Sequence, residues 1–248
     1  MRVGLFIPCY IDQFYPEVGI ATYELLIKLG YDVTAPMSAT CCGQPMANSG
    51  FEGEAKKVYH HFVDDFAEFD AIVMPSGSCT MHVKEHYTNI NQTKGVRHVR
   101  KNTYDLVEFL IKHGVKKLPK VELKAKVALH TGCHSLRGLG IGHPSELYGQ
   151  PTSALRQILN HVKGLEFVDL DRPDECCGFG GTFAVTQEAI SVKMGQDKVE
   201  DVKRTGAEIL VSNDMSCLMH IEGILRKQGD KIKIMHIAQI LSPVAEHP

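Results

Sequence analysis

The chain has 248 residues, enough for one large core or two small ones, with 44% hydrophobic and 23% charged residues. Its formal net charge is -2 and its Lys and Arg are dispersed, so electrostatics give no reason to expect nucleic acid or an anionic membrane surface as partner. No window reaches 18 apolar residues, and the apolar start that Pro8 and Cys9 close is too short for a signal-peptide core, so a cytoplasmic protein is expected.

In chain order, residues 3–8 read as a buried strand, and residues 17–29 show helical spacing up to a stop at Gly30. A short strand near Tyr31–Thr34 leads to Cys41-Cys42-Gly43. Residues 52–68 predict a helix with Val58, Phe62 and Phe66 on one face, followed by a strand at 71–74 and a helix at 100–113 closed by Gly114. Beyond a linker at Lys116–Lys120, the rhythm recurs: strand 127–130, helix 152–162, a strand near Glu166–Val168, then Cys176-Cys177-Gly178. Helix 185–204, strand 208–212 and helix 233–241 complete the second half. The Gly-rich stretch Gly138–Gly142 lacks a full dinucleotide fingerprint and reads as a loop.

The recurrence is an internal repeat. VGLFIPC at 3–9 matches VALHTGC at 127–133; the two Cys-Cys-Gly triplets match; and SCTMH at 78–82 matches SCLMH at 216–220. The landmarks keep their order at offsets of 124, 135 and 138 residues. The predicted architecture is α/β: two pseudo-repeated halves, residues 1–118 and 121–248, each a small, mostly parallel sheet flanked by helices.

The chain has eight cysteines, an unusual number for a reducing compartment where disulfides are rare, so metal or redox chemistry is the leading explanation. Functional groups of parallel α/β sheets gather beyond the carboxyl ends of the strands. This brings together Cys9, Cys41, Cys42 and Cys79 in the first half, and Cys133, Cys176, Cys177 and Cys217 in the second. Four thiolates are what a [4Fe–4S] cluster requires, which predicts two clusters per chain. Zinc and purely structural cysteines are the competing readings. Neither half has the Cys-x₂₋₄-Cys knuckle usual for four-cysteine zinc, and adjacent cysteines strain binding to a single tetrahedral ion. Gly43 and Gly178–Gly181 allow positive φ and a close backbone approach to the cysteines. His130 and His134 flank Cys133 as hydrogen-bond donors or as ordinary packing residues. Asn48 and Ser49 read equally as supporting donors or as a helix cap.

These residues resemble the cysteine-rich CCG-domain family of iron–sulfur proteins, which includes a component of heterodisulfide reductase. Within it, CCGQPMANSG at 41–50, PSGSC at 75–79, CCGFGGTF at 176–183 and MHIA at 235–238 are most similar to the lactate utilization protein A (LutA/YkgE) family. The resemblance covers essentially the whole chain. It implies an iron–sulfur electron-transfer subunit of a multi-protein complex oxidising L-lactate to pyruvate, with the other subunits as partners and the eight cysteines as cluster ligands. No flavin or NAD is expected on this chain. One departure bears on cluster type: the last Cys of each family repeat is His here, His82 and His220, which are either substitute ligands or ordinary helix residues. A heterodisulfide-reductase-like thiol–disulfide subunit and a zinc-stabilised, non-redox scaffold are the alternatives.

Overall fold

The computed structural model describes residues 1–149 and 152–243. The first half forms a four-stranded parallel sheet in the order β2-β1-β3-β4: β1 is Arg2–Leu5, β2 Asp32–Thr34, β3 Ala71–Met74 and β4 Thr103–Asp105. The second half repeats it as β6-β5-β7-β8: β5 is Glu122–His130, β6 Lys163–Phe167, β7 Ile209–Ser212 and β8 Lys233–His236. All the pairings are parallel, so every strand carries its chain toward the same edge of its sheet.

Strand alternation sorts the side chains into layers. Val3, Leu5, Val73, Val127, Ile209 and Val211 belong to one apolar core shared by both halves. Helices fill the space between the sheets: α2 (Pro16–Lys28), α7 (Leu106–Phe109), α8 (Ala154–Leu159) and α12 (Ile237–Leu241), with α12 packed on α2 and α7 on α8. The other face of the first sheet, with Phe6, Ile72 and Met74, packs against α4 (Glu52–Phe66) and α6 (Lys94–Asn102). The other face of the second, with Ala128 and Leu210, packs against α10 (Glu188–Thr205) and α11 (Met215–Gln228). Helix α4 buries Ala55, Tyr59, Phe62, Val63 and Phe66, while Val58 is only half-buried at the edge of that stripe.

Two predicted helices are corrected. The segment read as helix 100–113 contains the end of α6, strand β4 and α7, and the segment read as helix 233–241 contains β8 and α12. Each of these strands is only three or four residues long and runs straight into a helix capped by its last residue. Asp105 accepts from the Val107 N–H at 2.8 Å, and His236 accepts from the Ala238 N–H at 3.2 Å. With no turn to separate the elements, the apolar spacing runs through them, and pairing with β3 or β7 decides the strand. The segment read as helix 185–204 is split at Gln187 into α9 (Phe183–Thr186) and α10. Four helices not anticipated from the sequence start at or beside cysteines: α1 (Cys9–Phe14), α3 (Gln44–Asn48), α5 (Gly77–His86) and α11.

Candidate metal centre

Each cysteine set is assembled by the same local rules. Cys9 opens α1 directly after β1, and Cys133 follows β5 at the matching point. Cys79 and Cys217 sit in the first turns of α5 and α11, and the residues that cap these helices are Ser76 and Asp214. In both triplets the glycine takes φ +88°, which turns its N–H back onto the first cysteine. Gly43 N donates to Cys41 Sγ at 3.3 Å, and Gly178 N to Cys176 Sγ at 3.4 Å. A side chain is excluded at both places: a Cβ on Gly43 would lie 2.6 Å from the Tyr59 ring, and one on Gly178 2.6 Å from the Ser191 carbonyl oxygen.

The sulfurs converge. In the first half Cys9 Sγ lies 4.0 Å from Cys41 Sγ, and Cys42 Sγ 3.3 Å from Cys79 Sγ. All eight thiols are free, and all eight line one cavity of about 380 Å³. The exposure pattern repeats as well. Cys42, Cys79, Cys177 and Cys217 are buried, while Cys41, Cys133 and Cys176 are half-buried and Cys9 is exposed. Sulfur-to-sulfur contact governs the acidities. Hydrogen bonds from Cys42 and Cys9 push the Cys41 thiol far down, and those from Cys133 and Cys177 do the same to Cys176. Cys9 and Cys133, whose partners take the negative charge, are pushed up. Cys217 is lowered to about 7, chiefly by the Cys177 hydrogen bond, with His130 beside it adding to the effect.

The halves meet crosswise. Tyr10, on α1, donates from its hydroxyl toward Ser76 Oγ at 3.1 Å and Asp214 Oδ1 at 3.2 Å. Asp214 Oδ2 accepts from the Ser78 N–H of the first half at 2.8 Å. One carboxylate of the second half therefore braces the cysteine helices of both, and burial pushes the phenol of Tyr10 well up. Close contact of Gly77 with Ser135 seals the opposite side, where an added Cβ would lie 1.7 Å from Ser135 Oγ. Asn213 donates to both Ser135 Oγ and Asp105 Oδ2, at 2.7 and 3.1 Å. Tyr10 and Asp214 were not singled out from the sequence. The signal for Asp214 was its place opposite Ser76 in the repeat, and the signal for Tyr10 was its adjacency to Cys9.

Of the other candidates, Asn48 and His134 line the cavity. Ser49 caps no helix start; its hydroxyl donates to the Pro45 carbonyl at 2.7 Å. His82 is buried under the first set with its ring stacked on His86, and burial lowers its pKa to about 4. His220 is turned away, its Nε2 standing 3.2 Å from the Ser191 carbonyl oxygen. Thiols this close, with no disulfide between them, make a donor set that fits thiolate-held metal or an iron–sulfur cluster.

Comparison with known proteins finds the same two-fold repeat. The CCG cysteine-rich domain family matches residues 3–84 and 127–222, one copy per half. Lactate utilization protein A of Exiguobacterium sp. is 42% identical, with 97% of each chain covered. The protein of that name from Bacillus subtilis is 40% identical over 98% of this chain and 99% of its own. Among solved structures, glutamate racemase isoform RacE1 from Bacillus anthracis covers 97% of this chain and 78% of its own at 10% identity. Its TM-score of 0.36 is too low to bear on function. Among the described residues no helix is long and apolar enough to cross a membrane. With full-length relatives at this identity and a cysteine-rich domain in each half, the chain belongs to the lactate utilization protein A family of CCG-domain proteins.

Proposed function

We propose that this chain is a cytoplasmic iron–sulfur electron-transfer subunit of a complex that oxidises L-lactate to pyruvate. The observation that carries the reading is the gathering of all eight cysteines, in two matched sets, around one cavity. Lactate enters from the names of the full-length relatives. Cys9, Cys41, Cys42 and Cys79 would hold one [4Fe–4S] cluster, and Cys133, Cys176, Cys177 and Cys217 a second. Such clusters supply reversible one-electron transfer when bound.

The chain's own residues do the rest. Buried Cys42, Cys79, Cys177 and Cys217 form the dry floor of the sites, where low dielectric strengthens every local charge interaction. The N–H groups of Gly43 and Gly178 hold negative charge on Cys41 and Cys176. The positive ends of α5 and α11 fall at Cys79 and Cys217 and act in the same sense. Tyr10 and Asp214 fix the spacing between the two sets by tying α1, α5 and α11 together. The more exposed Cys9, Cys41, Cys133 and Cys176 stand toward the mouth, where a partner protein would exchange electrons. Lactate oxidation removes a hydride equivalent from carbon, chemistry normally supplied by flavin or nicotinamide, and this step falls to a partner.

Anaerobic purification followed by iron and acid-labile sulfide analysis tests the reading. About eight of each per chain are expected from two four-iron clusters. Colourless, iron-free protein, or stoichiometric zinc in its place, would overturn it.

A further inference from the structure

The two cysteine sets differ at one buried position. Phe6, the residue after β1, still pairs with β3 through its N–H to the Val73 carbonyl, so alternation aims Phe6 and His130 of β5 at the same outer side of their sheets, the two holding the same place in the repeat. Phe6 fills its place with hydrocarbon, packing edge-on to Phe62 and Phe66 at centroid distances of 5.1 and 5.9 Å, in a cluster that also holds Cys42 and Cys79. His130 brings two nitrogens to the corresponding place beside Cys177 and Cys217. It is fully buried, and neither nitrogen has a hydrogen-bond partner.

A buried imidazole with both nitrogens unsatisfied is an expensive arrangement unless something else engages it. Its surroundings say what. A ring nitrogen of His130 and the Sγ atoms of Cys177 and Cys217 all lie within 4.8 Å of one another; among the described residues this is the one group of three such donors that meets so closely. Imidazole nitrogen and thiolate sulfur bind a shared ion at about 2.0–2.3 Å, a geometry that side-chain shifts of about 1 Å would reach from this spacing.

The two histidines at the family's fifth-cysteine position do not offer this. His220 is turned to the Ser191 carbonyl. His82 has unpartnered nitrogens, but its ring is held between His86 and Tyr59 and joins no such triad. We propose that His130 supplies a nitrogen ligand to the metal held by Cys177 and Cys217, so that the second site is a mixed sulfur–nitrogen centre and the first an all-sulfur one. The proposal rests on the reading that these thiols hold metal, and departs from it at one point: with His130 as a fifth donor the second site is no longer a plain four-thiolate [4Fe–4S] site.

The test uses the full chain, grown with ¹⁵N-histidine, purified without oxygen and reduced. Pulsed EPR is expected to detect one directly coordinated histidine nitrogen. His130→Phe, which installs the first half's residue, should abolish that coupling, and His220→Leu should retain it. In parallel, metal-free protein is titrated with Co²⁺ alone, with circular dichroism confirming that the variant is folded. His130→Phe should bind Co²⁺ at the second site at least ~10-fold more weakly, matching or exceeding the loss usual for a supporting residue. Iron-loaded protein with no nitrogen coupling, or a coupling that survives His130→Phe, overturns the proposal and leaves the proposed function standing. Protein that takes up no iron overturns the proposed function instead. In that case an unchanged Co²⁺ affinity in His130→Phe overturns this proposal as well.

Discussion

The two halves share a backbone plan and differ in what surrounds their sulfurs. The first set is enclosed by aromatic rings: Phe6, Phe62, Phe66, Tyr59 and Tyr87 form one stacked and edge-on cluster around Cys42 and Cys79. The second set has a buried imidazole, His130, and a fully buried ammonium, Lys198. The helix-capping residues differ too, Ser76 on one side and the carboxylate Asp214 on the other. On the proposed iron–sulfur reading, a repeat that keeps its cysteines and changes what surrounds them is the expected design for two centres of different potential, because charge, hydrogen bonding and burial set iron–sulfur potentials.

The coarsest way to break the comparison is to remove one floor cysteine at a time. Cys42→Ser should empty the first site and leave the second, and Cys177→Ser the reverse, so that each variant retains about half the wild-type iron. If either substitution strips both sites, the halves are one cooperative centre and the comparison fails. Iron analysis with EPR of each variant decides it.

A second contrast lies at the ends of β4 and β8, the two strands whose apolar spacing reads as helix. Asp105 and His236 hold equivalent places and both cap the next helix. Burial pushes the Asp105 carboxyl up from 3.8 to about 8 and the His236 imidazole down from 6.5 to about 4. Between roughly pH 4 and 8 the unfolded chain releases the Asp105 proton while the folded chain keeps it, so Asp105 costs stability progressively as pH rises. Between roughly pH 6.5 and 4 the unfolded chain takes up a proton at His236 that the folded chain refuses, so His236 costs stability as pH falls. Each contributes a slope of at most about 1.4 kcal/mol per pH unit. In urea titrations Asp105→Asn should flatten the alkaline limb and His236→Asn the acid limb, both side chains still being able to cap. Unchanged slopes would mean that the two groups titrate as they do in water.

The glycines of the triplets offer a third, smaller contrast. Alanine in the left-handed region costs roughly 1–2 kcal/mol at either place. At Gly178 the new Cβ meets the Ser191 carbonyl oxygen at 2.6 Å and Met194 Cβ at 2.7 Å, atoms fixed to the backbone of α10 that no side-chain rotation can clear. At Gly43 it meets the edge of the Tyr59 ring, a side chain that can swing. Gly178→Ala should therefore lose about 3 kcal/mol and Gly43→Ala about 2 kcal/mol in denaturant unfolding. Equal losses would place the whole cost in the backbone.

These contrasts also mark how far the sequence carried. The parallel α/β plan was legible because strands, glycine stops and cysteines recur in order, and repetition fixes what single segments leave ambiguous. The strands at Thr103–Asp105 and Lys233–His236 were not, since only pairing with β3 and β7 separates them from the helices they join. The two cysteine sets were legible as sets. Their meeting in one cavity was not, because it depends on Tyr10 and Asp214 reaching across from opposite halves. The exchange of Phe6 for His130 stood in plain view in the repeat, but its meaning needed the burial and the missing partners of the imidazole.

The finest distinction is electrical. Lys198 lies fully buried behind Cys177, close enough for the two to influence each other's ionisation, and donates to the Arg172 carbonyl at 2.5 Å. A cation there favours the state that gains an electron, so Lys198 raises the potential of the second centre. The bias is small, because Asp201 at 3.9 Å and Glu175 at 4.0 Å offset most of the charge, and burial lowers the lysine's own pKa. Lys198→Met should lower the second potential by about 30–60 mV, roughly 1 kcal/mol for one electron, while the first centre, enclosed by Phe62 and Tyr59, stays fixed as an internal reference. An EPR-monitored redox titration that moves both potentials together, or raises the second, would place the asymmetry elsewhere than in this buried charge.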